Sequence, residues 1–177
     1  MPALGEIFRR YGYEGASIAR ITEETGLGKG SLYNFFPGGK EEMTEAVLAD
    51  IHRWFEENIY RPLETQEPDA AIRQMFEGVS AYFQSGRRIC LVGALALEET
   101  RNRFSAEVAH YFHRWLEALS AYFRRKGALP AQAKEIASYM IAGIQGAIIM
   151  ARATNDVSQF PAILKMLEAN CDKSCRA

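Results

Sequence analysis

Cysteine is scarce in this 177-residue chain: Cys90, Cys171 and Cys175 are an odd number. A chain long enough to bury a substantial core needs no disulfide framework. Cys171 and Cys175 lie four apart, as two ligands or a redox pair would, but no histidine or third cysteine is near them in sequence. They read as a reduced, exposed tail, and Cys90, opening an apolar run, as a small buried hydrophobe. A charge excess of one sign is missing too, since 21 basic against 22 acidic residues leave a net charge of −1. Any contact with nucleic acid must therefore come from a few placed side chains and not from a general basic field. No run of apolar residues reaches the roughly 18 that span a bilayer, and the first ten residues lack the apolar stretch of an export signal. Both observations predict a cytoplasmic protein without a membrane partner. Of the three histidines, His52, His110 and His113, only the last two stand in helical i, i+3 register, with no third ligand near, so no metal is expected. Glycine-rich phosphate loops, paired carboxylates on an apolar background and a nucleophile with its base are also lacking, which argues against an enzyme and predicts no cofactor.

What the chain does have is helical period almost throughout, with no alternating strand pattern. Met43, Ala46, Val47, Ile51, Trp54, Phe55 and Ile59 recur by threes and fours, as do Ile72, Met75, Phe76, Val79, Tyr82 and Phe83. Phe104, Val108, Tyr111, Phe112, Trp115, Leu119, Tyr122 and Phe123 form a third stripe, each with polar residues between. Such stripes mark one-sided surface helices. Prolines fall at the predicted joints, and residues 61–68 read as the clearest linker. The fold class is all-α, about nine helices, without internal repeats.

Two segments depart from this pattern. Residues 89–97 are apolar on every side and should form a buried element. Residues 136–151 are nearly as apolar, with Gly143 and Gly146 three apart. With Ile148, and with Ile163, Leu164 and Leu167 on the next helix, they suit a dimer interface in which two helices pair with their symmetry mates. Ordinary intramolecular core is the alternative.

The informative stretch runs from Gly12 to Lys40. Ser17 is a good N-cap for a short helix ending near Glu24. Thr25, Gly26 and Leu27 then supply the tight glycine-containing turn of a helix-turn-helix. A second helix of about two turns, Gly28 to Phe35, is stopped by Pro37, Gly38 and Gly39. Leu32 and Phe36 are spaced to face inward. Gly28 and Gly30 would let the backbone approach a major groove, with Lys29, Ser31, Tyr33 and Asn34 directed at bases or phosphates. Arg20, Thr22 and Ser17 on the preceding helix, and Lys40 at the start of the next, are placed for backbone contacts.

These residues resemble the TetR family of bacterial repressors. Tyr13–Ile18, Ile21–Gly26, Lys29–Tyr33 and Phe36–Pro37 look like its DNA-binding signature, while Pro37–Glu42 and Cys90–Glu98 are similar to the narrower LmrA/YxaF-like branch. Asn34 and Phe35 depart from it, standing where many members carry histidine. The resemblance implies three DNA-binding helices in residues 1–45 and a ligand-binding and dimerisation domain in 46–177. It further implies a homodimer on double-stranded operator DNA, a small-molecule inducer and no catalysis. Met75, Tyr82, Phe83, Leu91, Leu95, Phe112, Trp115, Tyr139, Met140 and Gln145 are candidates for the inducer pocket, suited to an apolar or aromatic effector. A cysteine-based redox response through Cys90, or through Cys171 with Cys175, is the competing expectation.

Overall fold

A computed structural model describes residues 1–98 and 102–174; Cys175 lies outside them. Among the described residues every regular element is helical: α1 (Pro2–Gly15), α2 (Ile18–Thr25), α3 (Lys29–Phe35), α4 (Gly39–Phe55), a π-helical turn (Glu56–Tyr60), α5 (Arg61–Thr65), α6 (Pro68–Tyr82), a 3-10 turn (Gln84–Gly86), α7 (Leu91–Leu97), α8 (Ser105–Arg125), α9 (Pro130–Ala153) and α10 (Gln159–Ser174). The chain divides into two compact units, residues 1–53 with 91–110, and residues 54–90 with 111–177. The first unit is thus wider than the segment 1–45 set out from the sequence, and it is discontinuous.

In the first unit α1 lays Leu4, Ile7 and Phe8 inward and packs against α7, which buries Leu91, Val92 and Leu95. Tyr13 meets Phe104 edge-on, with ring centres 5.2 Å apart. Helix α1 is broken at Gly12, whose φ of 67° suits glycine. Leu97, at the end of the apolar run, is exposed, so that segment is buried on one side only.

In the second unit an aromatic cluster forms the core. Phe55 lies 4.8 Å from Tyr82, 4.9 Å from Tyr111 and 5.4 Å from Trp115, measured between ring centres. Helix α9 packs chiefly on α10. Its most apolar 18 residues have a mean hydropathy of 1.4. By length and composition alone α9 passes as a membrane span, although no unbroken apolar run in it reaches that length. It instead buries Ala137, Ile141, Ile144 and Ile148, as a core helix does.

The segment expected as a linker is largely helical. Pro62 has no N–H to give the Asn58 carbonyl, and its ring would crowd that oxygen in a regular helix. The chain responds by widening to the π turn, where the Arg61 N–H donates to Glu56 O. The freed Asn58 carbonyl accepts from Gln74 Nε2 at 3.5 Å. Arg114 of α8 braces the bend from outside, donating to both oxygens of Glu64 at 2.7 and 2.9 Å and to Glu56 at 2.9 Å. These bonds hold its guanidinium above its ordinary pKa. Only Gln66 and Glu67 remain as connection, and the Glu67 carboxylate caps α6 by accepting from the N–H groups of Asp69 and Ala70.

Candidate nucleic-acid interface

The N-terminal helical hairpin is built by local rules. Ser17 Oγ accepts from the Arg20 N–H at 3.2 Å, satisfying a donor that α2 would otherwise leave open. Gly26 ends α2 in the left-handed region, at φ 69°, with its N–H on Thr22 O. Nothing lies within 4 Å of the Cβ an alanine would add there, so backbone conformation and not space selects glycine. Gly28 then caps α3 from an extended conformation.

Helix α3 projects. Leu32, 1% exposed, anchors it, while its other six residues are exposed. Lys29, Gly30, Ser31, Tyr33 and Asn34 are therefore presented as the sequence predicts, behind the exposed Gly28. Phe36 is half-buried. Phe35, which sequence reasoning left without a role, stands 72% exposed at the end of the helix. Its spacing misleads, since three residues after Leu32 it should share the inward face, and only its place at the end of the helix leaves it outside.

Four of the candidate DNA contacts are already engaged within the chain. Ser17 is the cap, and Thr22 Oγ1 donates to Ala19 O. Arg20 stacks 4.3 Å over the Tyr11 ring and donates to Gly15 O at 2.9 Å. Tyr11 is half-buried. Lys40 donates to Tyr13 O at 2.9 Å, sits 4.1 Å over the Tyr13 ring and lies 3.7 Å from Glu14. Its ammonium ties the end of α1 to the start of α4.

The proposed effector residues separate. Met75, Phe83, Trp115 and Met140 are buried in the second unit, with Tyr82, Phe112 and Gln145 half-buried there. Leu91 and Leu95 belong to the first unit. Tyr139 is 62% exposed and does not line an interior; the spacing of α9 gave it the wrong side. Two buried donors, Trp115 Nε1 and Gln145 Nε2, find no hydrogen-bond partner among the described residues. Burial raises the Tyr111 hydroxyl pKa well above its ordinary value, with Cys90 close by. A separate groove of about 360 Å³ on the second unit is lined by His113, Leu116, Glu117, Ser120, Arg124, Pro130 and Lys134, none of them in the candidate set.

The candidate interface residues divide between the interior and the surface. Ile148, Leu164 and Leu167 are buried within the chain, and Leu167 closes on Gly143, 3.0 Å from the Cβ an alanine would add. Ile163 is half-buried. Gly146 has nothing within 4 Å of that position and lies on the open side of α9, together with exposed Tyr139, Ala142, Ile149, Met150 and Ala153. Met166 of α10 is likewise exposed. Cys90 is buried as expected, and Cys171 is buried too, its thiol donating to Leu167 O at 3.4 Å, where the sequence suggested an exposed tail.

Residues 3–47 match the family model described as bacterial regulatory proteins, tetR family, and residues 68–166 match that of the transcriptional regulator LmrA/YxaF-like, C-terminal domain. The chain is 28% identical over 155 residues to the HTH-type transcriptional regulator LmrA of Bacillus subtilis, covering 85% of this chain and 82% of that protein. It is 25% identical to the uncharacterized HTH-type transcriptional regulator YxaF of the same organism, covering 85% and 81%. Among solved structures, a TetR transcriptional regulator from Legionella pneumophila superposes with a TM-score of 0.84 at 16% identity, covering 96% of this chain and 93% of that one. A TetR family regulator from Agrobacterium tumefaciens gives 0.79 at 22% identity, covering 95% of both chains.

Proposed function

Because the chain belongs to the TetR family of transcriptional regulators, with the LmrA/YxaF-like C-terminal domain, we propose that it is a homodimeric repressor, released from its operator by a small apolar or aromatic effector. It is a regulator with a helix-turn-helix and not an enzyme. The observation that carries the reading is the projection of α3, anchored by Leu32 alone and offering Lys29, Ser31, Tyr33 and Asn34 outward from a glycine-lightened backbone. Lys29 serves phosphate or a guanine edge, Ser31 and Asn34 base edges or phosphate, and the Tyr33 hydroxyl a phosphate oxygen. Ser17, Arg20, Thr22 and Lys40 make their contacts within the chain, to α1, α2 and the turn between them. An operator as the target supports a cytoplasmic location for the working protein.

The open apolar side of α9, with Gly146 at its centre and Met166 beside it on α10, supports pairing of two copies. Two reading heads must then stand about 34–36 Å apart to enter successive major grooves. Helix α4 starts in the first unit and ends in the second, so a change in its tilt is felt in both. An effector that binds one tilt better shifts DNA affinity by no more than that difference. Trp115 Nε1 and Gln145 Nε2 support an effector bearing acceptor atoms, since each unpartnered buried donor costs about 1–3 kcal/mol. Burial of both described cysteines removes support from the redox alternative.

The test is fluorescence anisotropy of the purified protein on DNA from upstream of its own gene, with light scattering for mass. A dimer binding one sequence far above random DNA is expected. A monomer, or equal affinity for every duplex, would refute the reading.

A further inference from the structure

Histidine is rare in the sequence, and the fold pairs it differently from the sequence spacing. His110 and His113 stand in i, i+3 register on α8, but the close pair is His110 with His52, 58 residues away on α4 and within the same compact unit. Their Nε2 atoms are 2.9 Å apart, with ring centres 4.2 Å apart and ring planes inclined by 50°. Two rings joined by an in-line N–H···N bond would stand about 5 Å apart centre to centre. The shorter separation puts the contact off the ring axes, an arrangement open both to a bent N–H···N bond and to two ligands of one ion. His110 is exposed and His52 half-buried, so solvent and ions reach the pair.

We propose that His52 and His110 form a two-imidazole site for a late first-row divalent cation of the Ni(II) or Cu(II) class. A metal about 2.0 Å from each nitrogen would see the pair at roughly 90°, the angle of neighbouring ligands in square-planar or octahedral coordination. Tetrahedral zinc would require the nitrogens to move to about 3.3 Å apart. Imidazole is the ligand type these ions favour, and they bind nitrogen sites more tightly than the earlier metals of the row. Among the described residues no cluster of three or more His, Cys, Asp or Glu could hold a metal, so water completes the shell and exchange is fast. The bound ion pins α4 to α8 within the first unit. Helix α4 begins directly after the stop that follows α3, so the pin acts on the helix that carries the reading head.

Full-length, tag-free protein is titrated with nickel chloride by calorimetry, and its melting temperature is followed with and without the metal. One Ni(II) per chain and a higher melting temperature are expected. His52→Gln and His110→Gln should each weaken binding by about tenfold or more, while His113→Gln leaves it unchanged. Circular dichroism verifies that the variants fold. Independently of any variant, paramagnetic resonance of one equivalent of Cu(II) should show two coordinated imidazole nitrogens. Absence of saturable nickel binding, binding that survives loss of His52 or His110, or a copper spectrum without two imidazoles would each overturn the proposal.

Discussion

Replacing Lys40 with methionine separates two roles that the sequence alone merges. The position at the head of α4 suggests a phosphate clamp, whereas the structure has its ammonium donating to Tyr13 O at 2.9 Å with the side chain 21% exposed. Methionine keeps the aliphatic stem and removes only the charge. A hydrogen bond from a charged donor is worth about 1.5–3 kcal/mol net, and the Tyr13 ring 4.1 Å away adds about 0.5–1 kcal/mol. Glu14, 73% exposed, adds little. Lys40→Met should therefore destabilise the protein by about 2–3 kcal/mol, allowing for overlap between the two contacts. For a chain of this size that lowers the melting temperature by about 4–12 °C. Operator binding measured between 50 and 200 mM salt should keep its wild-type slope at a temperature where the variant is folded, because no phosphate contact is lost. An unchanged melting temperature, together with a slope reduced by about one unit, would refute this reasoning and return Lys40 to the DNA.

Lys29→Met, by contrast, should leave the melting temperature alone and flatten the salt dependence by about 0.9 units, while Tyr33→Phe weakens binding to all sequences alike; anisotropy titrations over a salt series measure both. Arg114→Met removes the brace of the π turn and should cost about 2 kcal/mol in urea unfolding, between the limits for exposed and buried ion pairs. Asp156 accepts from the Ser158 hydroxyl and N–H and from Gln159 Nε2, bonds that hold its carboxyl below the usual range. Its stabilisation is present above the unfolded value of about 3.9 and is lost as pH falls through the lower folded value. Asp156→Ala should thus melt below wild type at pH 7, and the two curves should converge in strong acid.

The reading head was legible because its signals are local. Ser17 as cap, Gly26 as the left-handed stop and Leu32 as the inward anchor are each decided within four residues of chain. The linker at residues 61–68 was misjudged for the opposite reason. Proline announces that a regular helix cannot continue, but not that a π turn will absorb the conflict. That outcome depends on Arg114, some fifty residues later, arriving to hold Glu56 and Glu64. Lys40 shows the same limit, since its partner Tyr13 lies 27 residues away.

Helix α9 shows why its exposed face eluded spacing arguments. A stripe is readable when polar residues mark its far side. Around α9 Ile144 and Ile148 are apolar, and so are Ile149 and Met150, yet the first two are buried within the chain and the second two are exposed. Only the docking of α10, with Leu167 closing on Gly143, decides which face is left over. The face left over is itself apolar along Tyr139, Ala142, Gly146, Ile149 and Ala153. Water is a poor neighbour for a surface of that extent, and a second copy removes it from water on both chains at once. Ile149→Glu should therefore leave the monomer folded and break the dimer, read as halved mass by light scattering. Operator affinity should fall with it, because two linked heads bind far more tightly than one. An intact dimer carrying glutamate at that position would place the interface elsewhere.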